Sequence, residues 1–347
     1  MLHVGIIGFG RIGAEHARWI GATQNVRVAC VFDPTQARRA LAESCGYVGV
    51  GSLSELLQRD DVDAVLVSTP TSMHFEHASK SIDAGKHVMI EKPMALDYAQ
   101  SKQLAERAQA KGVVMSVFHC RRWDVDYLTV KHAIASGVFG KIINIESRLG
   151  QWSSCVGPAA KEFRPNWRNE KSFGGGALYD WGSHFIDQLW QLFLPAKPVR
   201  VFAQLRGNVW STDCDDFARV CIDFDNGAVG LCEINTTTTR PLPRWHIDGS
   251  SGSASAPHSL TFDTHEWAQL RFTHADGSDV PIELAASEVN ESDIWSTFAR
   301  ACAGECQPMV TVDSVLTTMR LLDAARESSL TGRVVDVGTL CLSAHNF

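Results

Sequence analysis

Residues 4–13 read Val-Gly-Ile-Ile-Gly-Phe-Gly-Arg-Ile-Gly, an apolar run that leads directly into three glycines spaced as GxGxxG. The pattern predicts a buried strand, a tight turn and the start of a helix. Gly8 can make the turn, Gly10 lets the backbone approach a pyrophosphate, and Gly13 lets the helix pack close to the strand. The glycines alone would also suit a tight loop in any α/β protein. The predicted phosphate-binding loop is Gly8, Phe9, Gly10, Arg11, Ile12 and Gly13.

A second apolar stretch, Val26–Phe32, predicts the next strand, which ends at Asp33. An acidic residue about twenty positions after the last glycine is what a dinucleotide-binding unit requires. The Asp33 carboxylate can accept hydrogen bonds from the adenosine ribose hydroxyls and would repel a 2′-phosphate. The following Pro34 and Thr35 include no arginine or serine that could receive that phosphate. The sequence therefore predicts NAD as the cofactor in preference to NADP.

The composition is that of an ordinary globular protein. The 347 residues are 45% hydrophobic and 20% charged, and this length suits two domains. The net charge of −7 argues against nucleic acid or an anionic membrane as a partner. No apolar run reaches transmembrane length and no leader precedes the first strand, so we expect a cytoplasmic protein.

The ten cysteines are scattered along the chain and form no CxxC pair. Only Cys302 and Cys306 lie close together in sequence, and two thiols without nearby histidines make a poor metal site. We therefore expect free thiols in a reducing compartment and no bound metal.

Up to about residue 120, predicted strands alternate with predicted helices, which is typical of a parallel, doubly wound sheet. Two of these strands end in polar loops. One delivers Thr69 and Pro70, and the other delivers Glu91, Lys92 and Pro93. Because ligands bind at the carboxyl ends of such strands, both loops are candidate parts of a binding cleft.

The pattern changes at Arg121-Arg122-Trp123. Residues 150–175 are rich in glycine, proline and polar residues and are interpreted as a long loop that could cover a pocket. A helix is predicted over about 177–193. Strand-like stretches then follow at Val199–Arg206, Phe217–Phe224, Ala228–Asn235, Trp245–Asp248, Leu260–Phe262, Gln269–Thr273 and Val280–Leu284. Hairpin turns such as Asp225-Asn226-Gly227 indicate that much of this sheet is antiparallel.

The predicted fold class is therefore α/β with two domains. Residues 1–120 form a nucleotide-binding Rossmann domain with a doubly wound parallel sheet. Residues 121–347 form an α+β domain for substrate binding and oligomerisation, with a large, mostly antiparallel open sheet.

Two motifs resemble those of the Gfo/Idh/MocA family of NAD(P)-dependent oxidoreductases, which includes glucose–fructose oxidoreductase and inositol dehydrogenase. The first is the run from Ser68 to Pro93, with its Thr-Pro, its Ala-Gly-Lys-His-Val and its Glu-Lys-Pro. The second is the run from Gly174 to His184, in which a glycine cluster precedes Asp-x-x-x-His. The two motifs together are far more specific than the glycine loop alone, and the resemblance covers nearly the whole chain.

The resemblance implies a Rossmann domain followed by a domain whose open sheet packs against a partner subunit, in a homodimer or a homotetramer. It also implies oxidation or reduction of a secondary alcohol on a sugar, inositol or related polyol, without a metal. Residues 119–124 are similar to a branch of the family that contains scyllo-inositol dehydrogenases.

Lys92, Asp180 and His184 are the predicted catalytic residues. The Lys92 amine would stabilise a developing alkoxide beside the nicotinamide, and the alternative is a surface lysine paired with Glu91. His184 would take the hydroxyl proton while the hydride leaves. Asp180, four residues earlier on one helix face, would hold the substrate or the imidazole; the alternative is a helical ion pair without a ligand. Asp187 could orient His184, or serve as an ordinary hydrogen-bond acceptor.

By the same resemblance, Thr69, Pro70 and Glu91 belong to the cofactor site, with Glu91 at the nicotinamide end; the alternative for Glu91 is pairing with Lys92 or Lys86. His74 is a further candidate for the cofactor site and could meet the nicotinamide ribose or the substrate. Thr69 and Pro70 could instead form a plain turn. His74 stands near the start of its helix, where capping or packing is the alternative role.

Arg122 matches an arginine that often faces the cleft in this family, whereas Arg121 beside it would hold the two domains together. Trp167 precedes the glycine cluster on the predicted loop and is a further candidate for substrate contact. Loop packing is the alternative for Trp167.

Two rival functions share this fold. One is a glycoside hydrolase that uses tightly held NAD for transient oxidation and releases no net NADH. The other is a non-catalytic NAD-binding regulator. A regulator is expected to have lost Lys92 or His184, and this chain has both.

Overall fold

The computed structural model describes residues 1–155, 167–258 and 262–338, which contain two sheets with helices packed against them. The strands of the first sheet are β1 (Leu2–Ile7), β2 (Val26–Phe32), β3 (Gly49–Val50), β4 (Ala64–Val67), β5 (His87–Ile90) and β6 (Met115–Val117). The intervening helices are α1 (Arg11–Gly21), α2 (Gln36–Ser44), α3 (Leu53–Leu57), α4 (His74–Asp83) and α5 (Tyr98–Lys111). Every strand pair in this sheet is parallel and the order is β3-β2-β1-β4-β5-β6, which confirms the predicted doubly wound sheet.

The strand order reverses at the neighbouring strands β1 and β4. Their loops leave in opposite directions and open a crevice at the carboxyl edge of the sheet, where ligands bind in folds of this kind. Helices cover both faces of the sheet, so a strand such as β4 is buried along its whole length and is apolar throughout.

The second part of the chain begins with α6 (Val125–Ala135) and β7 (Ile142–Gly150). It continues with α7 (Ser183–Gln191), β8 (Pro198–Arg206), β9 (Phe217–Phe224), β10 (Val229–Asn235), β11 (Trp245–Gly249) and β12 (Gly252–Ser255). The remaining elements are α8 (Thr264–Trp267), β13 (Arg271–His274), β14 (Asp279–Pro281), α9 (Glu291–Cys302), α10 (Val312–Thr331) and β15 (Val335–Asp336).

These strands form a nine-stranded sheet in the order β14-β13-β12-β11-β7-β10-β9-β8-β15. Within the described ranges, β7 and β10 are its one parallel pair, so the prediction of a mostly antiparallel sheet is confirmed. Burial alternates along β9, as expected for a sheet with one covered face. Helices α7 and α10 supply that cover, and their apolar residues share one core with the sheet.

Helix α9 returns to the first sheet. Ile294, Trp295 and Phe298 are buried with Val4 and Ile6 in a core that belongs to the nucleotide-binding half. The domain boundary at residue 120 therefore remains a prediction. Helix α9 follows this boundary in sequence but packs in the core of the nucleotide-binding half.

Two local features differ from the expectations. The helix predicted over 177–193 begins as a π-helical turn, Leu178–Gly182, and becomes regular at Ser183. Strand β12 is not predicted, because its Gly-Ser-Ala-Ser sequence lacks an apolar alternation. The predicted strand at Leu260–Phe262 lies mostly outside the described residues, as does 156–166 of the predicted loop. Among the helices described, none has the length and apolar character needed to cross a bilayer.

Candidate active site

One cavity of about 750 Å³ runs along the carboxyl edge of the first sheet and into the second half of the chain. It brings together most of the residues predicted as functional. Those that line it are Gly8, Gly10, Arg11, Ile12, Asp33, Thr69, Pro70, Glu91, Lys92, Trp167, Asp180 and His184. The glycine loop and the Asp-x-x-x-His motif, which are far apart in sequence, thus share one pocket of a size that suits an organic ligand.

The glycine loop has the geometry that each glycine was expected to supply. Gly8 has φ of +93°, a left-handed conformation that glycine adopts without strain. A Cβ on Gly13 would collide with the carbonyl oxygen of Gly8, so close helix–strand packing requires glycine there. A Cβ on Gly10 would meet nothing within 4 Å, and Gly10 begins α1 without a side-chain cap. The start of α1 is therefore open to the cavity, where its amides can bind an anion.

Asp33 stabilises this loop. Its Oδ2 accepts a hydrogen bond from the backbone N–H of Phe9 at 2.8 Å, and its Oδ1 accepts one from Thr35 at 2.9 Å. The carboxylate is buried, lines the cavity and retains lone pairs for ribose hydroxyls. Arg38, in the first turn of α2, also lines the cavity. The sequence-based prediction of NAD considers Pro34 and Thr35 and does not include this arginine.

Lys92 reaches across from the first half of the chain to the second. Its Nζ donates a hydrogen bond to the carbonyl oxygen of Asp180 at 2.6 Å and lies 3.4 Å from the Asp180 Oδ1. Its side chain is 15% exposed, in contrast to a surface lysine paired with Glu91. Lys92 therefore ties the Glu-Lys-Pro loop directly to the Asp-x-x-x-His motif.

The glycine cluster that precedes Asp180 makes this approach possible. Gly174 and Gly176 have φ of +74° and +109°, and a Cβ on Gly174 would lie 2.8 Å from a side-chain atom of Leu96. The chain thus enters the π-helical turn in close contact with the nucleotide-binding half. Within a helix, such a turn is uncommon and frequently marks a functional site.

Two cations hold Asp180 in its ionised form. Besides Lys92, Arg168 donates from Nε to the Asp180 Oδ1 at 3.2 Å. Burial by itself raises the pKa of Asp180, but Lys92 and Arg168 outweigh it, and the pKa is lower than its ordinary value. Asp180 is therefore an acceptor that fixes two basic side chains on the cavity wall.

His184 lies one turn further along and is also buried. Burial and then the charge of Lys92 lower its pKa well below its ordinary value of 6.5, so the imidazole is neutral near neutral pH. Its Nδ1 has no hydrogen-bond partner among the described residues. The ring of His119, which the sequence does not single out, packs edge-on against it with ring centres 5.7 Å apart.

Of the two neighbouring arginines, Arg121 lines the cavity and Arg122 does not, although Arg122 is the one predicted to face it. Arg122 does not line the cavity: it forms a two-pronged ion pair with the buried Asp187, at 2.7 and 2.8 Å, and also binds Ser314. Arg121 does line the cavity, where its guanidinium stacks on Trp181 with 5.1 Å to the ring centre. Arg122 thus joins α7 to the start of α10 within the second half of the chain.

Asp187 does not orient His184. Its two carboxylate oxygens accept hydrogen bonds from Arg122, and Oδ1 also accepts one from Thr318 on α10. Its Oδ2 also lies 3.8 Å from Nδ1 of His119, the ring that packs against His184, but no hydrogen bond joins Asp187 to His184 among the described residues. The structure supports the alternative, an acceptor used for packing.

Three residues predicted to bind the cofactor also lie outside the cavity wall. Phe9 is buried in the core against Tyr47, and Gly13 packs on Gly8. His74 is buried, with Nδ1 2.9 Å from the carbonyl oxygen of Pro93 and Nε2 2.9 Å from that of Thr69. His74 thus connects the two polar loops, which agrees with the packing alternative rather than with ligand contact.

No group of three or more metal-ligating side chains occurs among residues 1–155, 167–258 and 262–338. Nine of the ten cysteines lie in these ranges, and each is a free thiol. Cys302 and Cys306 are both partly buried.

Comparison with known proteins identifies two family models in the chain. Residues 2–119 match the model described as "Oxidoreductase family, NAD-binding Rossmann fold", and residues 127–255 match the "GFO/IDH/MocA C-terminal domain". The two matches occupy the two halves that contribute to the cavity.

Individual relatives agree with these matches. The chain is 34% identical to the uncharacterised oxidoreductase YdgJ of Escherichia coli over 61% of this chain, and the match spans 60% of YdgJ's length. It is 28% identical to IolW of Bacillus subtilis, a scyllo-inositol 2-dehydrogenase (NADP(+)), over 96% of this chain and 95% of that protein. A solved NAD-binding protein from Listeria innocua is 27% identical, covers 99% of both chains and superposes with a TM-score of 0.87.

Proposed function

The chain belongs to the GFO/IDH/MocA family of oxidoreductases, and from this premise we propose that it is an NAD-dependent dehydrogenase acting on CH–OH groups. Its substrate is a secondary alcohol of a sugar, inositol or related polyol. The observation that carries the proposal is the single cavity with a glycine loop and Asp33 at one end and Lys92, Asp180 and His184 at the other.

The residues present fit a dinucleotide. The open start of α1 at Gly10 suits a pyrophosphate, Asp33 suits the adenosine ribose, and the Thr69 and Glu91 loops continue the cavity toward Lys92. When bound, the nicotinamide supplies the carbon that takes or gives the hydride. No metal is required in this proposal, because Lys92 supplies the positive charge.

Each catalytic side chain has a defined task. Lys92 binds the substrate oxygen and stabilises negative charge that develops on it. Asp180 holds the ammonium group of Lys92 in position through its carbonyl oxygen and carboxylate. His184 is uncharged and accepts the hydroxyl proton at an imidazole nitrogen. In the reducing direction, the same proton returns to the substrate oxygen.

The proposal is tested by incubating the protein with NAD or NADP and a panel of inositols and aldoses while recording the absorbance of reduced nicotinamide. Turnover with at least one polyol supports the dehydrogenase. Release of nitrophenol from a nitrophenyl glycoside without net NADH would instead support the NAD-dependent hydrolase. Cofactor binding without either reaction would support the regulator.

We predict that Asp33→Ser lowers the ratio of kcat/KM with NAD to kcat/KM with NADP, by roughly tenfold or more. The substitution removes the acceptor for the ribose hydroxyls and the charge that repels a 2′-phosphate. Asp60→Ser, at an exposed aspartate of the same half, is the matched control. An unchanged ratio in Asp33→Ser would remove the ribose role of Asp33 and leave NADP, the cofactor named for IolW, as the alternative.

We also predict that kcat/KM for alcohol oxidation does not decline as the pH is lowered from neutrality through 6.5. The pKa of His184 is lowered by burial and by Lys92 and Arg121, so its basic form persists below its ordinary value of 6.5. The acid limb of the pH profile should therefore lie well under 6.5. Arg121→Met removes one of the cations and should move this limb upward toward 6.5. A wild-type limb at 6.5 or above would argue against His184 as the base.

The outer face of the nine-stranded sheet supports a further part of the proposal. Phe202 on β8 and Val229 on β10 are 39% and 37% exposed on that face, with the partly exposed Leu231 beside them. We propose that a second copy of the chain covers it, in a homodimer or a homotetramer. A cytoplasmic location is proposed as well, because free thiols suit a reducing compartment.

A further inference from the structure

A chain of hydrogen bonds runs from helix α9 to the Glu-Lys-Pro loop. The indole Nε1 of Trp295 lies 3.1 Å from Nδ1 of His16, and Nε2 of His16 lies 2.7 Å from Oε1 of Glu91. The other oxygen of Glu91, Oε2, accepts the backbone N–H of Lys92 at 3.1 Å. Trp295 and His16 are fully buried and Glu91 is nearly so, with its remaining surface on the cavity wall.

The direction of each hydrogen bond follows from the chemistry of the groups. An indole N–H can only donate, so Nδ1 of His16 must be the acceptor and carries no proton. The proton of the neutral imidazole is therefore on Nε2, where it is donated to Glu91. An imidazolium would point a second N–H at the indole N–H of Trp295, and two donors cannot satisfy each other. Trp295 thus selects the neutral form of His16.

The surroundings of His16 reinforce this selection. Its ring is packed edge-on by Trp19, Phe118 and Trp295, with ring centres 4.9, 4.3 and 5.6 Å away. These aromatic side chains fix the ring's orientation. The carboxylate of Glu91 consequently receives a strong hydrogen bond from a neutral partner and is not neutralised by a cationic one.

We propose that Trp295 and His16 are positioning residues that keep Glu91 as a fixed negative charge on the cavity wall, and that this charge favours binding of the oxidised over the reduced nicotinamide. The inference rests on the proposed function, because it requires the nicotinamide ring to lie beside Glu91. The oxidised ring carries a positive charge and the reduced ring does not. A buried carboxylate next to the ring therefore discriminates between the two forms.

The charges around Glu91 are consistent with this role. The Lys92 ammonium is drawn toward Asp180, at 2.6 Å from its carbonyl oxygen, instead of toward the Glu91 carboxylate. Burial acts to raise the pKa of Glu91, but the hydrogen bond from His16, together with the charge of Lys92, lowers it below its ordinary value. Glu91 therefore stays ionised although it is buried.

The test compares the dissociation constants of NAD⁺ and NADH, measured by titration calorimetry on the full-length protein. In His16→Leu, Glu91 loses its donor and we expect it to take up a proton, so that affinity for NAD⁺ falls about tenfold more than affinity for NADH. His16→Gln can both donate to Glu91 and accept from Trp295, and should retain most of the discrimination. Trp295→Phe allows His16 to become charged and should reduce the discrimination as well.

The outcomes separate this inference from the proposed function. Two results would overturn the charge role and leave only a packing role. One is an equal loss of affinity for NAD⁺ and for NADH in His16→Leu. The other is a loss of discrimination in His16→Gln as large as that in His16→Leu. If the wild type turns over a polyol while no variant changes the ratio of the NAD⁺ and NADH dissociation constants, the inference alone fails. If the wild type binds neither form of the cofactor, the proposed function fails together with it. Should His16→Leu not fold, as judged by circular dichroism, the His16→Gln and Trp295→Phe ratios still decide.

Discussion

In Lys92→Ala, the turnover number is expected to fall by about two to four powers of ten, the usual effect of losing a positioned electrostatic or acid–base group. The Nζ of Lys92 lies on the cavity wall at Asp180, so its removal takes away the ammonium group that is proposed to stabilise the developing charge on the substrate oxygen. The affinity for NAD should change much less, because the glycine loop and Asp33 are untouched. Steady-state kinetics and a cofactor titration on the same preparation measure both quantities.

The matched control is Lys80→Ala. Lys80 lies on α4 in the same half of the chain, is exposed and forms an ion pair with Glu76 within its own helix. Its removal should leave turnover unchanged. Equal turnover in Lys92→Ala and the wild type would remove Lys92 from the mechanism.

In His184→Ala, turnover should fall on the same scale of about two to four powers of ten, because the proposed proton acceptor is lost. The substitution leaves a buried space where the ring stood, next to His119. Added imidazole should enter that space and restore part of the activity. The measurement is kcat with and without imidazole, and the restored rate should rise with the concentration of neutral imidazole.

His132→Ala serves as the control for His184→Ala. His132 lies on α6 and is exposed, so its removal should affect neither turnover nor the response to imidazole. If His184→Ala retained wild-type turnover, or lost activity only in proportion to a loss of folded protein, the base would have to be another group.

Much of the fold follows from patterns that are local in sequence. The glycine loop, the apolar strands of the first sheet and the turn at residues 225–227 each specify a conformation within a few residues, and all appear as expected. The approach of Lys92 to Asp180 is a long-range contact. It could be expected only because both residues lie in motifs that resemble those of one family.

The positions of Arg121, Arg122 and Asp187 show where sequence patterns stop being informative. Arg121 and Arg122 are adjacent in a short 3₁₀ turn, Cys120–Trp123, so their side chains leave in different directions and only the packing decides which faces the cavity. Asp187 is three residues from His184 in sequence, yet its partners are Arg122 and a threonine of α10. Neither the buried ion pair nor the direction of a side chain can be read from spacing alone.

The sequence also does not predict the proposed role of His16, although His16 lies three residues after the last glycine of the loop. Its partner Trp295 is 279 residues away, on a helix that returns to the first sheet. From the sequence, a histidine in that position is predicted only to belong to a helix. The fold places the Trp295 indole on one side of its ring and Glu91 on the other.

The central claim is that a lysine from one half of the chain and a histidine from the other act on the same substrate hydroxyl. A crystal structure of the protein with NAD and a polyol that it turns over tests this most directly. The account predicts one hydroxyl oxygen within hydrogen-bonding distance, about 3 Å, of both the Lys92 Nζ and a nitrogen of His184, with its carbon against the nicotinamide. A complex in which no substrate oxygen is shared by Lys92 and His184 would contradict it.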